Sequence, residues 1–498
     1  MGVRTGDPVW VKHFGLATDD GNLGHFVAVD EWNNIFVAGY LSSRISPDAP
    51  VCLTCPKGLA FFFAKLDRNG RFLWHRRMKG ESARVERPAI AVNRSGQSVL
   101  AATTLDKVEF ETRTFEGSYN PRIVVIGLDA VGQVRWETAT RPGIENAPPC
   151  AAIDTQGEVV LGRVAECTLG EDKGRRRSGQ RICVEVVRFD RNGKEKWRKT
   201  VDGTDNTDGC LLTVSDDGSV FVANGSTFDS RVPPMIGSIA HRALENAWDE
   251  AVKGKNVFRP LSLEGLGDRT PEKIDSTCIT MRWRLARIGR DGEVVWDKAI
   301  DDRKNLRIWS LKSDADMNVV LAGGRFEDVW IGWKQLGRKN SEILLSKVGA
   351  DGERRWERHC KNDSRMAQGT AVAIDRNGGV VVAGQFAADF GSRDVGCFPD
   401  AVMVDYSDLG PRTSFWNRAS RPDYGVMMIK YDSQGTYLWH TRVRGQTLGW
   451  HGADVSVDTA GDVVATGAFN GSISFGGSEY VEASGLSDFF LVKYRGEN

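Results

Sequence analysis

The apolar positions of this chain recur as a phrase. An apolar strand ends in Asp or Asn, a short turn with Gly or Asn follows, and a second strand ends in Ala-Gly or a variant of it. After a connection of variable length come an alternating strand, a second turn closing on Gly, and a strand that carries Trp. Short runs rich in Val, Ile, Phe and Trp, bounded by Asp, Asn and Gly, predict strands joined by tight turns. The first copy is complete: His25-Phe-Val-Ala-Val-Asp30, Ile35-Phe-Val-Ala-Gly39, Phe61-Phe-Phe-Ala-Lys-Leu-Asp67, Arg68-Asn69-Gly70 and Arg71-Phe-Leu-Trp74.

The first turn falls seven times, at Asp30, Asn93, Asp154, Asp217, Asp314, Asp375 and Asp458. The second falls six times, at Gly70, Gly132, Gly193, Gly292, Gly352 and Gly435. The Trp strand falls seven times, at Trp10, Trp74, Trp136, Trp197, Trp296, Trp356 and Trp439. The last copy ends with Asp488-Phe-Phe-Leu-Val-Lys-Tyr494 and lacks its Trp strand, while Pro8-Val-Trp10-Val-Lys-His13 stands before any copy. Pairing the two completes a ring and removes two sheet edges that would otherwise invite association.

The predicted fold is therefore all-β: one seven-bladed β-propeller of four-stranded blades, closed by the N-terminal strand completing the last blade. Residues 1–22 hold the closing strand. Blades 1 to 3 take 23–80, 81–142 and 143–203. Blade 4 takes 204–302 with an insertion over 230–277, and blade 5 takes 303–362. Blade 6 takes 363–445 with an irregular insertion over 392–424, and blade 7 takes 446–498. The innermost strands are small and branched, as in Thr370-Ala-Val-Ala-Ile-Asp375, which suits a crowded axis. The Trp repeats too regularly for a ligand site and reads as a blade-packing residue.

Composition narrows the function classes. Lys+Arg and Asp+Glu stand at 66 each, so the net charge is zero. A nucleic-acid partner is not expected, because phosphate neutralisation needs a basic excess. No apolar run is long enough to cross a membrane as a helix, and no membrane role is expected. The N-terminus lacks an apolar leader core, and Gly6 stands where a myristoylation signal wants Ser or Thr. Nine Cys spread over 498 residues are too sparse for a disulfide scaffold. These readings lead to the expectation of a cytoplasmic chain, monomeric on its own.

The unit resembles the bacterial β-propeller repeat called SBBP. The resemblance is carried by Val455-Ser-Val-Asp458, Gly461-Asp-Val-Val-Ala-Thr-Gly467, Phe469, Ser474-Phe-Gly476 and Ser487-Asp-Phe-Phe-Leu-Val-Lys-Tyr494 in unit seven. In unit six it is carried by Ala371-Val-Ala-Ile-Asp375, Ala383-Gly-Gln-Phe386 and Phe390-Gly391. It implies the fold and a bacterial origin and implies no activity, since the repeat serves many roles; family members are often secreted. In units two to five the Ala-Gly becomes Ala101-Ala102, Leu161-Gly162 or Ala223-Asn224.

Candidate chemistry is sparse. Both long insertions connect the second and third strands of their blades, so both rise from one face. Positions 235–252 have helical spacing, with Leu244 and Trp248 on the apolar side, Pro233-Pro234 before and Gly254 after. That face is buried either on the propeller itself or on a partner. The blade 6 insertion brings Phe398, Phe415, Trp416 and Arg418, the residue types of interface hot spots, which would equally serve as the loop's own small core. Arg176 in a basic run (173–177) suits an acidic partner or a solvated turn, and Trp450 with His451 falls in the last connection toward the axis.

Cys52-Leu-Thr-Cys55 has no second pair to complete a zinc site, and a disulfide or redox pair is the other reading. Cys167 and Cys183 bracket one hairpin. Acids at Asp19, Asp20, Asp205, Asp208, Asp301, Asp302 and Asp363 are residues that turns prefer, though at a channel mouth they would also suit a cation or acid–base work. Hydrolase, phosphate-loop, zinc-protease and dinucleotide motifs are absent from the sequence. No catalytic residue, metal or cofactor is assigned. The expected function is a non-enzymatic scaffold, or a recognition or sensor subunit, that binds a protein or peptide on the face bearing the blade 4 and blade 6 insertions, with a small-ligand, glycan-binding, hydrolase or lyase role at the axial mouth as the alternative.

Overall fold

The structure is a computed structural model. It describes residues 6–14, 23–41, 60–80, 86–104, 107–111, 113–115, 122–140, 148–167, 181–201, 207–229, 279–301, 306–331, 334–362, 367–387, 424–447, 453–476, 480–484 and 487–496.

Seven antiparallel four-stranded sheets form a ring. Strands are lettered a to d from the axis outward. Blade 1 is Leu23–Val29, Ile35–Leu41, Ala60–Leu66 and Phe72–Gly80; blade 2 is Glu86–Val92, Ser98–Thr104, Arg122–Leu128 and Val134–Thr140. Blade 3 is Cys150–Ile153, Val159–Cys167, Arg181–Phe189 and Glu195–Val201; blade 4 is Thr207–Val214, Val220–Asp229, Ile279–Ile288 and Val294–Asp301. Blade 5 is Leu306–Ser313, Val319–Ile331, Lys334–Val348 and Arg354–Asn362; blade 6 is Ala367–Ile374, Val380–Ala387, Tyr424–Tyr431 and Tyr437–Thr447. Blade 7 has Asp454–Val457, Val463–Ser474 and Asp488–Tyr494 from the end of the chain, and its strand d is Pro8–Phe14. Val11 lies opposite Val492 and His13 opposite Phe490, and the Phe14 ring stacks on Phe489 at 4.5 Å.

The core is a set of apolar layers between neighbouring sheets. One such layer joins Val99, Ala101, Ile123 and Val125 of blade 2 to Val159, Leu161, Val187 and Phe189 of blade 3, all buried. Alternation along strands b and c gives each sheet two apolar faces, one for each neighbour.

Two polar devices reinforce these layers. The Trp of strand d reaches the c–d turn of the next blade: Trp197 Nε1 donates to Arg290 O at 2.8 Å, Trp296 Nε1 to Ala350 O at 2.8 Å and Trp356 Nε1 to Ser433 O at 3.1 Å. The turn glycine must lie bare beneath the indole. Gly132 has φ +77, and a Cβ there would stand 2.8 Å from Trp74. The second device is a cation near the end of strand c that pairs with the acid of the a–b turn. Lys65 meets Asp30 at 3.0 Å, Lys347 meets Asp314 at 2.8 Å, Lys430 meets Asp375 at 3.0 Å and Lys493 meets Asp458 at 2.6 Å. Arg188 takes the same place in blade 3, on Asp154.

Blade 2 has lost both members of this pair. Gly127 replaces the cation and is covered by the Trp136 indole, and Asn93 replaces the acid and donates to Asp154 O across the blade boundary. Blade 4 shifts the acid. Ser215 occupies the turn position, and Asp217, two residues later, caps the turn and meets Arg287 at 3.2 Å.

The Phe469 and Ser474-Phe-Gly476 signature has a mechanical role. Strand b of blade 7 runs on and pairs with strand d of blade 6, Gly445 opposite Ile473, and buries Phe469, Ile473 and Phe475 against Trp439 and Val443. Blade 2 does the same with a short hairpin, Val108–Phe110 and Arg113–Phe115, whose Phe110 lies opposite Met78 of blade 1.

Candidate functional site

An inner strand of a propeller is a sheet edge that faces the axis, so its outward N–H and C=O groups need partners. Here each inner strand, with its turn, is tied to the next. Glu31 N donates to Arg94 O between blades 1 and 2, and Asn93 Nδ2 to Asp154 O between blades 2 and 3. Ser313 Oγ donates to Val214 O between blades 4 and 5. Val372 N donates to Ser310 Oγ between 5 and 6, and Thr370 Oγ1 to Ala453 O between 6 and 7. Asp454 Oδ2 accepts from Val27 N at 2.8 Å between blades 7 and 1. Burial pushes the Asp454 carboxyl above its ordinary range, with Lys312 and the amides of Val27 and Val455 pulling the other way.

Blades 3 and 4 use a covalent link instead, a disulfide from Cys150 to Cys210. Their Cα atoms are 6.0 Å apart, and both residues are buried. Gly162 makes the room, because a Cβ there would fall 2.5 Å from Cys150 Sγ. Cys183 is also disulfide-bonded. It stands opposite Ala165, and Cys167 stands opposite Arg181, so the two cysteines are diagonal neighbours across the hairpin. Reducing the Cys150–Cys210 bridge, or replacing both residues with Ser, is expected to lower stability by about 3 kcal/mol. Denaturant melts with and without reductant measure this; superimposable curves would show that the bridge contributes nothing.

The inner strands line an open axial cavity of 240 Å³ toward the end where the a–b turns lie. Its walls come from the inner strands of blades 1 to 5. Arg94 and Asp216, on the turns of blades 2 and 4, meet at 3.4 Å, and both are exposed. Among the described residues, no group of three or more His, Cys, Asp and Glu is placed to hold a metal ion.

The long connections leave from the opposite end of the ring. Blade 4's insertion leaves the hairpin at the Asp229–Ile279 pair and blade 6's at the Ala387–Tyr424 pair, both at the b–c end of the ring. Leu244, Trp248, Phe398, Phe415, Trp416, Arg418, Arg176, Trp450 and His451 all lie outside the described residues, as do Cys52 and Cys55 and the acids Asp19, Asp20, Asp205, Asp302 and Asp363. Asp208 and Asp301 fall within strands of blade 4.

No family model matches the chain. A WD repeat-containing protein of Acanthamoeba polyphaga mimivirus, described as uncharacterized, is 30% identical over 111 residues, which is 22% of this chain and 7% of that protein. Among solved structures, an ulvan lyase of a polysaccharide lyase family aligns over 92% of this chain and 93% of its own, at 9% identity and a TM-score of 0.42. A puromycin hydrolase aligns over 92% and 51%, at 10% identity and a TM-score of 0.40. Likenesses this distant carry no argument about activity.

Three features of the inner strands have little or no signal in the sequence. Ser310, Thr370 and Asp454 each stand beside apolar residues, and that polarity is their one mark. The pairing of Cys150 with Cys210 has no local signal, because the two are 60 residues apart. Trp309 is the extra residue of a bulge between Ile308 and Ser310; it is 40% exposed, with the Arg307 guanidinium 5.6 Å from its ring. Inner strands of blades 1, 2, 4 and 6 bulge at similar points, and bulges of this kind re-aim side chains.

Proposed function

We propose that this propeller is a non-enzymatic recognition scaffold, and that it holds another protein or a peptide on the face bearing the blade 4 and blade 6 insertions. The observation that carries this reading is the origin of both long connections at the same end of a ring whose inner strands are tied at every blade boundary. A rigid frame that presents variable loops is a recurrent way to build a recognition surface. The exposed Trp309, in the half of its strand nearer that face, adds an aromatic of the kind interfaces favour.

The disulfide between buried cysteines supports maturation in an oxidising compartment rather than the cytoplasm expected from sequence. We also read the repeat as the bacterial SBBP type, because its Phe469 and Ser474-Phe-Gly476 signature forms the clasp between blades 6 and 7.

The test is deletion of residues 233–269 from the tagged full-length chain. Material purified from the native host is expected to lose a stoichiometric protein that the unaltered chain retains, while its melting temperature stays within a few degrees. Retention of the same partner by the deletion variant would refute this version of the scaffold.

A further inference from the structure

Six of the seven inner strands carry a small residue two positions before the turn: Ala28, Ala91, Ala152, Thr213, Ala373 and Ser456. Blade 5 carries Lys312 there, exposed toward the axial cavity whose wall it forms. A lysine stem at this position takes up space along the axis that the small residues of the other blades keep free. Its ammonium has no hydrogen bond and no ion pair among the described residues. Asp454 attracts it from a distance, but both Asp454 oxygens already accept backbone amides, from Val27 and Val455. The other cation of the cavity, Arg94, is answered by Asp216. The rest of the wall is mixed: Phe26, Ile90, Val92 and Ile153 stand partly exposed beside Asp154 and Asp314, whose carboxylates are taken by Arg188 and Lys347.

We propose that the axial cavity is a binding site for a small organic monocarboxylate with an apolar, preferably aromatic, body, its carboxylate held by Lys312. Size sets the limit on the ligand: a cavity of about 150 Å³ takes benzene, so 240 Å³ takes about ten non-hydrogen atoms. Charge sets the head group. One free ammonium suits one carboxylate, whereas a phosphate draws several donors. A neutral ligand would gain no charge-assisted hydrogen bond from Lys312, and a cation would be repelled by it. The site is at the ring end opposite the long insertions, so it is independent of the scaffold reading, and its ligand would stiffen the inner strands of five blades at once.

Phenylacetate is the probe, titrated calorimetrically into the full chain at low salt. Binding in the micromolar to millimolar range is expected, with phenylacetamide, its neutral analogue, at least about tenfold weaker, as the loss of a charged hydrogen bond predicts. Lys312→Met keeps the stem and removes the charge, and is expected to weaken phenylacetate by about tenfold or more while melting like the parent. Ala151→Leu, which fills the cavity from the blade 3 side, is expected to abolish binding of both compounds. Lys298→Met, on the outer strand of blade 4, is expected to change nothing. An absence of heat from phenylacetate at about 10 mM, equal affinity for the amide, or unaltered binding by Lys312→Met would each overturn the proposal.

Discussion

A chain lacking residues 1–14 is expected to lose its cooperative thermal transition and to accumulate as aggregate. The missing segment is strand d of blade 7, and nothing else in the described chain covers that edge of Asp488–Tyr494. Its removal exposes Phe489 and Leu491, which Phe14 and Trp10 help to bury. Losing one buried Phe costs about 3–5 kcal/mol, and losing the strand also opens a ladder of six registered pairs. Against a total stability of about 5–15 kcal/mol, that is enough to unfold a blade. Phe14→Ala is the graded version, expected to cost about 3 kcal/mol in a denaturant melt. A synthetic peptide of residues 6–14 added in trans is expected to restore part of the transition. A truncated chain that melts like the parent would mean that the ring is held without its closing strand.

Arg188→Met is expected to cost about 3–5 kcal/mol, because it strips the cation from two carboxylates in a dry site. The Arg188 side chain is fully buried, with Nη2 on Asp154, Nε on Glu158 at 2.9 Å and Nη1 on Gly218 O of blade 4 at 2.6 Å. Burial alone would raise the Glu158 carboxyl, but hydrogen bonds from Lys196 and Arg188 outweigh it and hold the group below its ordinary value. Asp314 and Asp217 are lowered in the same way, by Lys347 and by Ser215 and Ser219 with Arg287. A carboxylate whose folded value is depressed stabilises the fold above its unfolded value, and that contribution fades as pH falls below about 4.5. The parent is therefore expected to lose stability steeply from about pH 5 to about pH 3, as denaturant melts across that range would record. Arg188→Met should show a shallower loss.

Blade 2 suggests the rescue, since Asn93 and Gly127 stand there without a charge pair. Asp154→Asn combined with Arg188→Met should therefore cost less than the sum of the two single changes. Simple additivity would show that the pair is not an energetic unit.

Periodicity alone determined the architecture. Seven recurrences of the Asp turn against six of the second turn, with one Trp strand displaced to the N-terminus, leave a closed ring as the economical arrangement. The strand ladder agrees, down to Pro8–Phe14 on Asp488–Tyr494. Local patterns were legible because each blade repeats the same short-range rules: alternation for two-faced strands, Asp and Gly for turns, Trp for the boundary.

What only the tertiary structure decided lies across blade boundaries, where the partners are 60 or more residues apart. No sequence spacing announces that Cys150 meets Cys210 or that Asp454 caps Val27 across a separation of 427. Lys312 reads in sequence as one more surface charge. It becomes a candidate ligand group only when the ring turns its strand toward a shared cavity and leaves its ammonium without a partner among the described residues. The axial cavity is lined by single residues from several blades meeting at one place, and the repeat, which describes each blade separately, carries no record of that meeting.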